Sequence, residues 1–200
     1  MSKKRTIGVV LFPEFELLDV FGPLEMFGIA SDSFHINMVA QSKEAVASRQ
    51  GPKSVVEHTF DEPIFYDILL VPGGQGTRRE VDNKAILDWL GQQAPRAEYV
   101  SSVCTGSVLL AKAGLLDGVR ATTNKRSLDW VVSQGPKTLW QRRARWVEDG
   151  KIFTSSGISA GIDMSLALIQ KILGPEKAQE IAKRAEYSWN QDANHDPFAK

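Results

Sequence analysis

The sequence contains a single cysteine, Cys104, among its 200 residues. No intramolecular disulfide can form, which excludes a stapled secreted scaffold and makes a reducing compartment the expectation. An excess of charge of either sign is also missing, since 24 Lys and Arg balance 24 Asp and Glu. That balance excludes electrostatic nucleic-acid binding as the main task, so no nucleic-acid partner is expected. No segment approaches the roughly 18 uninterrupted apolar residues that span a bilayer. The basic start, Lys3, Lys4 and Arg5, leads into an apolar run too short for a signal peptide. The expected setting is the cytoplasm, with no membrane partner. Histidine is scarce: His35, His58 and His195 are the only three, and none is placed beside Cys104. A Cys-His-Asp triad therefore has no evident base. No His, Cys, Asp or Glu pair falls at ligand spacing, so neither a metal nor a cofactor is expected.

What is present is globular in its proportions. A hydrophobic content of 42% and a length of 200 residues suit one domain spanning 1–200 with a sizeable core. Residues 7–12, 67–71 and 99–103 are short apolar runs that read as strands buried on both faces, the habit of a parallel sheet. Helical spacing follows each of them, at 17–30, 85–93 and 105–116. Residues 34–40 alternate as a strand, and 45–60 read as two short strands around Gly51-Pro52, an excursion at a sheet edge. Residues 121–123 suggest a short strand and 127–132 a short helix. Asp149-Gly150 marks a hairpin between 144–147 and 151–154. Two helices, 157–173 and 176–186, close the pattern, and a polar stretch beyond Tyr187 reads as a surface tail or a subunit contact. Alternating strands and helices predict an α/β three-layer sandwich with a mainly parallel central sheet. Its ligand crevice should lie beyond the carboxyl ends of the strands.

The chemistry concentrates at Ser101-Ser102-Val103-Cys104-Thr105-Gly106-Ser107, where a buried strand runs into a helix. A thiol at such an elbow meets free amides and the positive end of a helix, both of which favour thiolate. The competing reading, a buried inert cysteine, stands beside it. Asp19 opens a helix amid apolar neighbours, and spacing alone serves a helix cap and a catalytic acid equally. A desolvated Asp19 facing the thiol would hold a proton near neutral pH. That requires the strand before Asp19 to lie beside the strand of Cys104. Glu14 and Glu16 read as solvated loop acids. Gly73-Gly74, after the 67–71 strand, could turn amides inward to receive an anion, although the phosphate-binding spacings are absent.

Four stretches together resemble the ThiJ/PfpI superfamily over essentially the whole chain: Val71-Pro72-Gly73-Gly74, Ser102 to Ser107, Ala113 to Gly118 with Ala121-Thr122-Thr123, and Gly157 to Asp163. Leu18-Asp19 with Gly22-Pro23, and Cys-Thr-Gly at 104–106, look most like the isocyanide (isonitrile) hydratases. The pattern is also similar to the ligand-sensing domain of AraC-type regulators. The resemblance implies a class I glutamine amidotransferase-like, flavodoxin-like sandwich and a homodimer acting on a small-molecule substrate. It makes Cys104 the nucleophile, Asp19 its acid/base partner and Thr105 a positioning neighbour. It places Gly73, Gly74 and the Thr105 amide on the anion-stabilising side, with Ile158 packed near the sulfur. The implied reaction is isocyanide hydration to an N-substituted formamide through a cysteine thioimidate. Glyoxalase or deglycase-type chemistry on glyoxals, or ligand or oxidation sensing without catalysis, are the alternatives. Two departures stand out: Asn124-Lys125 where the subgroup commonly carries His-Trp, and Ser155-Ser156 where relatives often have Gly-Gly.

Overall fold

The computed structural model describes residues 4–199, so Lys3 of the basic start lies outside the described residues. In chain order the elements are β1 (Arg5–Val10), α1 (Leu17–Ile29), β2 (Phe34–Ala40), β3 (Val46–Ala47), β4 (Lys53–Ser54), β5 (His58–Thr59) and β6 (Ile68–Val71). Next come α2 (Thr77–Glu80), α3 (Lys84–Gln93), β7 (Tyr99–Ser102), α4 (Ser107–Lys112), β8 (Arg120–Ala121), α5 (Leu128–Gln134) and β9 (Leu139–Trp140). The hairpin β10 (Trp146–Asp149) and β11 (Ile152–Ser155) leads into α6 (Ala160–Leu173) and α7 (Pro175–Arg184).

Seven strands form the central sheet in the order β10-β11-β7-β6-β1-β2-β5. All neighbours are parallel except the β10–β11 hairpin at one edge. The apolar runs explain the middle of this order. Ile68, Leu69, Leu70 and Val71 are 0% exposed, because helices cover both faces of a parallel sheet and leave no wet side for alternation. Burying each such side chain contributes about 1.5–3 kcal/mol. The fold is thus the mainly parallel α/β sandwich that the alternation of elements predicts, flavodoxin-like as the resemblance implies.

Several boundaries differ from the sequence reading, each for a local reason. Thr105 does not begin a long helix: Cys104–Gly106 form one 3-10 turn, and α4 is only six residues long. Residues 120–121 pair with Leu139–Trp140 in a separate two-stranded sheet. The polar stretch after Tyr187 is anchored rather than free. Asp163, fully buried in α6, accepts from Arg145 Nε at 2.8 Å, Tyr187 Oη at 3.0 Å and the Asn190 amide at 2.9 Å. Arg145 Nη2 adds a charged contact at 2.6 Å. This carboxylate holds the start of the final strap, and the Ala193 carbonyl, accepting from the Arg145 amide at 2.8 Å, and the Asp196 amide, donating to the Arg143 carbonyl at 2.8 Å, hold the rest.

Between β1 and β6 the chain switches direction across the sheet, since β2 lies to one side and β7 to the other. Crevices in open α/β sheets form beyond the strand ends at such a switch. The segments that leave β1, β6 and β7 carry the site residues: Asp19 in the first turn of α1, Gly73-Gly74 in the loop after β6, and Cys104 in the turn after β7.

Candidate active site

Cys104 sits directly after β7 with φ of +57°, in the left-handed region that non-glycine residues avoid at a cost of roughly 1–3 kcal/mol. Surrounding bonds hold the strain. Its amide donates to the Ser156 carbonyl at 3.2 Å, and its carbonyl accepts from Thr123 Oγ1 at 2.9 Å and Ser107 Oγ at 3.2 Å. Gly106 allows the turn to sit tightly on β6, because a Cβ there would lie 2.2 Å from the Val71 carbonyl oxygen. The residue is buried and its thiol is the only one in the chain.

Asp19 is not a helix cap. It lies in the first turn of α1, whose N-cap position is Glu16, and its side chain points inward at 0% exposure. Oδ2 accepts from the Gly73 amide at 2.9 Å, while Oδ1 has no partner among the described residues. The Cys104 thiol stands against this carboxyl and perturbs it. The expected adjacency of strands does not occur, since β6 separates β1 from β7. The two side chains meet instead because α1 starts over the β6 loop. There Gly73 leaves room: a Cβ at that position would be 2.5 Å from the Thr105 amide and 2.9 Å from Asp19 Oδ2.

Burial pushes Asp19 well above the usual carboxylate range, opposed by the Gly73 amide. Burial also pushes the Cys104 thiol well up, reinforced by the Asp19 charge and opposed by the Thr105 amide and the Asn124 side chain. The expectation of a ready thiolate is corrected accordingly: one 3-10 turn and a six-residue helix offer little dipole to offset desolvation. Two buried anions side by side are excluded, so the pair retains at least one proton.

The remaining expected residues converge, with changed duties. Thr105 Oγ1 accepts from the Gly74 amide at 3.1 Å and lies 3.1 Å from Thr77 Oγ1. Both amides of the Gly73-Gly74 pair are thus occupied by side chains, which corrects their reading as free anion donors. The Thr105 amide is the one that addresses the sulfur. Ile158, 37% exposed, lines the cavity mouth. Asn124 takes the place beside Cys104 that the histidine departure had left open. Its side chain acts on the thiol to lower its pKa, while Oδ1 accepts from the Arg126 amide at 2.9 Å.

Sequence reading missed one flank of the site altogether. The main chain of Phe15 bridges both Ser48 and Gly74, drawing the β3–β4 excursion onto the crevice. Gln50 Oε1 thereby caps α1 from outside, accepting from the Leu17 amide at 3.1 Å, and its amide group bonds Glu16. Glu16 is half-buried at the cavity rather than free in a loop. The cavity of about 300 Å³ is lined by Cys104, Thr105, Asn124 and Ile158, with Glu16, Arg49, Arg78 and Arg126 around them. None of the three histidines lines it. Among the described residues no cluster of three or more His, Cys, Asp or Glu could hold a metal ion, and no helix is long and apolar enough to cross a membrane.

A strained cysteine at a strand end, faced by a buried acid from the first turn of α1, defines a cysteine-elbow α/β protein. The DJ-1/PfpI family model matches residues 5–171, and the chain belongs to that family. It is 37% identical to isonitrile hydratase from Pseudomonas putida over 182 residues, which is 91% of this chain and 78% of that protein. It is 27% identical to the HTH-type transcriptional regulator GbdR from Pseudomonas aeruginosa, covering 92% of this chain but about half, 51%, of the regulator. Among solved structures, a ThiJ/PfpI family protein from Pseudomonas syringae superposes with a TM-score of 0.86 at 30% identity. That match covers 98% of this chain and 78% of that one.

Proposed function

We propose that this protein is a cysteine-dependent lyase of the isonitrile hydratase type, converting isocyanides and water into N-substituted formamides. The observation that supports it is the Cys104 thiol set against Asp19, whose Oδ2 is held by Gly73 and whose Oδ1 is unpartnered. The similarity to a known hydratase over most of both chains agrees with it.

The proton held by the pair makes the chemistry balance. Sγ bonds the electrophilic terminal carbon of the isocyanide while the shared proton passes from Asp19 to that same carbon, giving a neutral thioimidate. Asp19, now a carboxylate, takes a proton from water as its oxygen adds to the carbon, and returns it to nitrogen. The tetrahedral species then loses the hydroxyl proton and expels Sγ, which leaves the formamide and restores one proton to the pair. The Thr105 amide and Asn124 stabilise sulfur whenever it carries charge, as attacker and as leaving group. No histidine is required in this sequence of steps.

The oxidation-sensing alternative is opposed by the sulfur's burial and raised pKa, since sulfenate formation follows exposed thiolate. The same proposal carries a homodimer of single-domain chains, checked by sedimentation velocity. The direct test is formamide formation from a simple alkyl isocyanide. Wild type is expected to turn over, Cys104→Ala to be inactive, and Asp19→Asn to lose about 10²–10⁴-fold, the range of one acid/base group. Unchanged turnover in both variants would sink the proposal.

A further inference from the structure

Resting on the hydratase reading, we propose that the cavity beside Cys104 is a carboxylate subsite built around Arg78, and that the substrate is an isocyanide bearing a carboxylate. Three guanidinium groups, Arg49, Arg78 and Arg126, line a cavity of about 300 Å³, against a single acid, Glu16. None of the three arginines forms an ion pair among the described residues, and Glu16 is engaged by Gln50. The chain as a whole is neutral, so this imbalance is local.

Arg78 is the built element. Its guanidinium lies 3.9 Å from the Trp130 ring centroid, which fixes its plane. Nη2 donates to Ser127 Oγ at 3.1 Å, with a long contact of 3.5 Å from Nη1 to Thr77 Oγ1. Two neutral acceptors and an aromatic face orient the fork without neutralising it, leaving N–H groups for a ligand. It stands near enough to Cys104 and Arg49 for their charges to act on it. A half-buried cation that repels its neighbour and meets no carboxylate is unfavourable unless a ligand supplies the anion. A planar carboxylate suits the fork and the small cavity.

The simplest test bypasses the hydratase reaction. Iodoacetate and iodoacetamide alkylate Cys104 by the same step, in which the sulfur displaces iodide, and they differ only in a carboxylate replacing an amide. The ratio of their rates cancels any change in the thiolate fraction, so a purely structural or sulfur-stabilising role of Arg78 leaves it unmoved. Wild type is expected to favour iodoacetate by roughly tenfold or more over the ratio shown by glutathione, the worth of one charge-assisted hydrogen bond. Arg78→Gln should return the ratio toward that of glutathione. Arg126→Gln, at an exposed position where folding is not at risk, should lower it in part.

A second arm compares kcat/KM for isocyanoacetate and its methyl ester, with the carboxylate preferred and the preference lost in R78Q. A glutathione-like alkylation ratio in wild type overturns the subsite. Equal turnover of acid and ester overturns the substrate assignment. Failure to hydrate either isocyanide, with the iodoacetate preference intact, removes the hydratase reading and leaves the carboxylate subsite standing.

Discussion

Gly73 donates its amide to Asp19 Oδ2 at 2.9 Å, joining residues 54 positions apart, while Oδ1 is buried without a partner among the described residues. Burial nonetheless keeps the carboxyl protonated to higher pH than in the unfolded chain. The folded state therefore binds more protons than the unfolded one from the ordinary carboxylate pKa upward, and stability falls as pH rises through that window. Asp19→Asn should raise the urea midpoint at neutral pH and flatten its decline with pH. A steeper decline in the variant would show the opposite linkage.

The thiol should report its two neighbours with opposite signs. Asp19 raises the Cys104 pKa and Asn124 lowers it. Asp19→Asn is expected to shift the pH profile of iodoacetamide alkylation down. Asn124→Asp keeps the oxygen that caps residues 126 and 127 but removes the N–H and adds negative charge. It should shift the profile up and slow alkylation at pH 7. Shifts of the same sign would refute this picture of the site.

Glycines in this chain differ sharply in what they tolerate. A Cβ at Gly106 would sit 2.2 Å from the Val71 carbonyl oxygen and 2.7 Å from that of Pro72, both rigid backbone. Gly106→Ala should lose about 3 kcal/mol or more. Gly28, exposed within α1, has nothing within 4 Å, so Gly28→Ala should gain about 0.5–1 kcal/mol from helix propensity. Thermal melts of the two variants should move in opposite directions.

Removing the Asp163 carboxylate leaves buried Arg145 with only the longer 3.9 Å contact to Asp196 and frees the Tyr187 hydroxyl and the Asn190 amide. Asp163→Ala is expected to cost about 3–5 kcal/mol. Limited proteolysis should then cut after residue 184 before the rest of the chain is touched. Global unfolding without this early cleavage would mean that the strap is held elsewhere.

The central strands were legible because β1, β6 and β7 are apolar runs bounded by turn residues, and the cysteine elbow because it follows one of them. Asp19 stood out as an acid among apolar residues at a helix start, and the resemblance of short motifs gave it the role of the cysteine's partner and added Thr105. What could not be read was contact across the sheet: that β6 lies between β1 and β7, so that Gly73 mediates between Asp19 and Cys104. Arg78 and Arg126 carry no distinguishing neighbours in sequence, and only the placement of Trp130 and Ser127 gives Arg78 its orientation. Leu139–Trp140 is a two-residue strand, too short to register as a period. The strap was missed because the donors to Asp163 are spread from residue 145 to residue 190.

The acid's helix takes its cap from Gln50, and Phe15 is stitched by its main chain to the loop that carries Gln50. The tip of that excursion touches no reacting atom, yet the start of α1 is registered against it. A one-residue insertion between β3 and β4 would slide Asp19 relative to the sulfur while every residue at the centre stayed the same. Loop length there works as a tuning screw for the reaction, available to evolution and to the engineer without editing the catalytic pair.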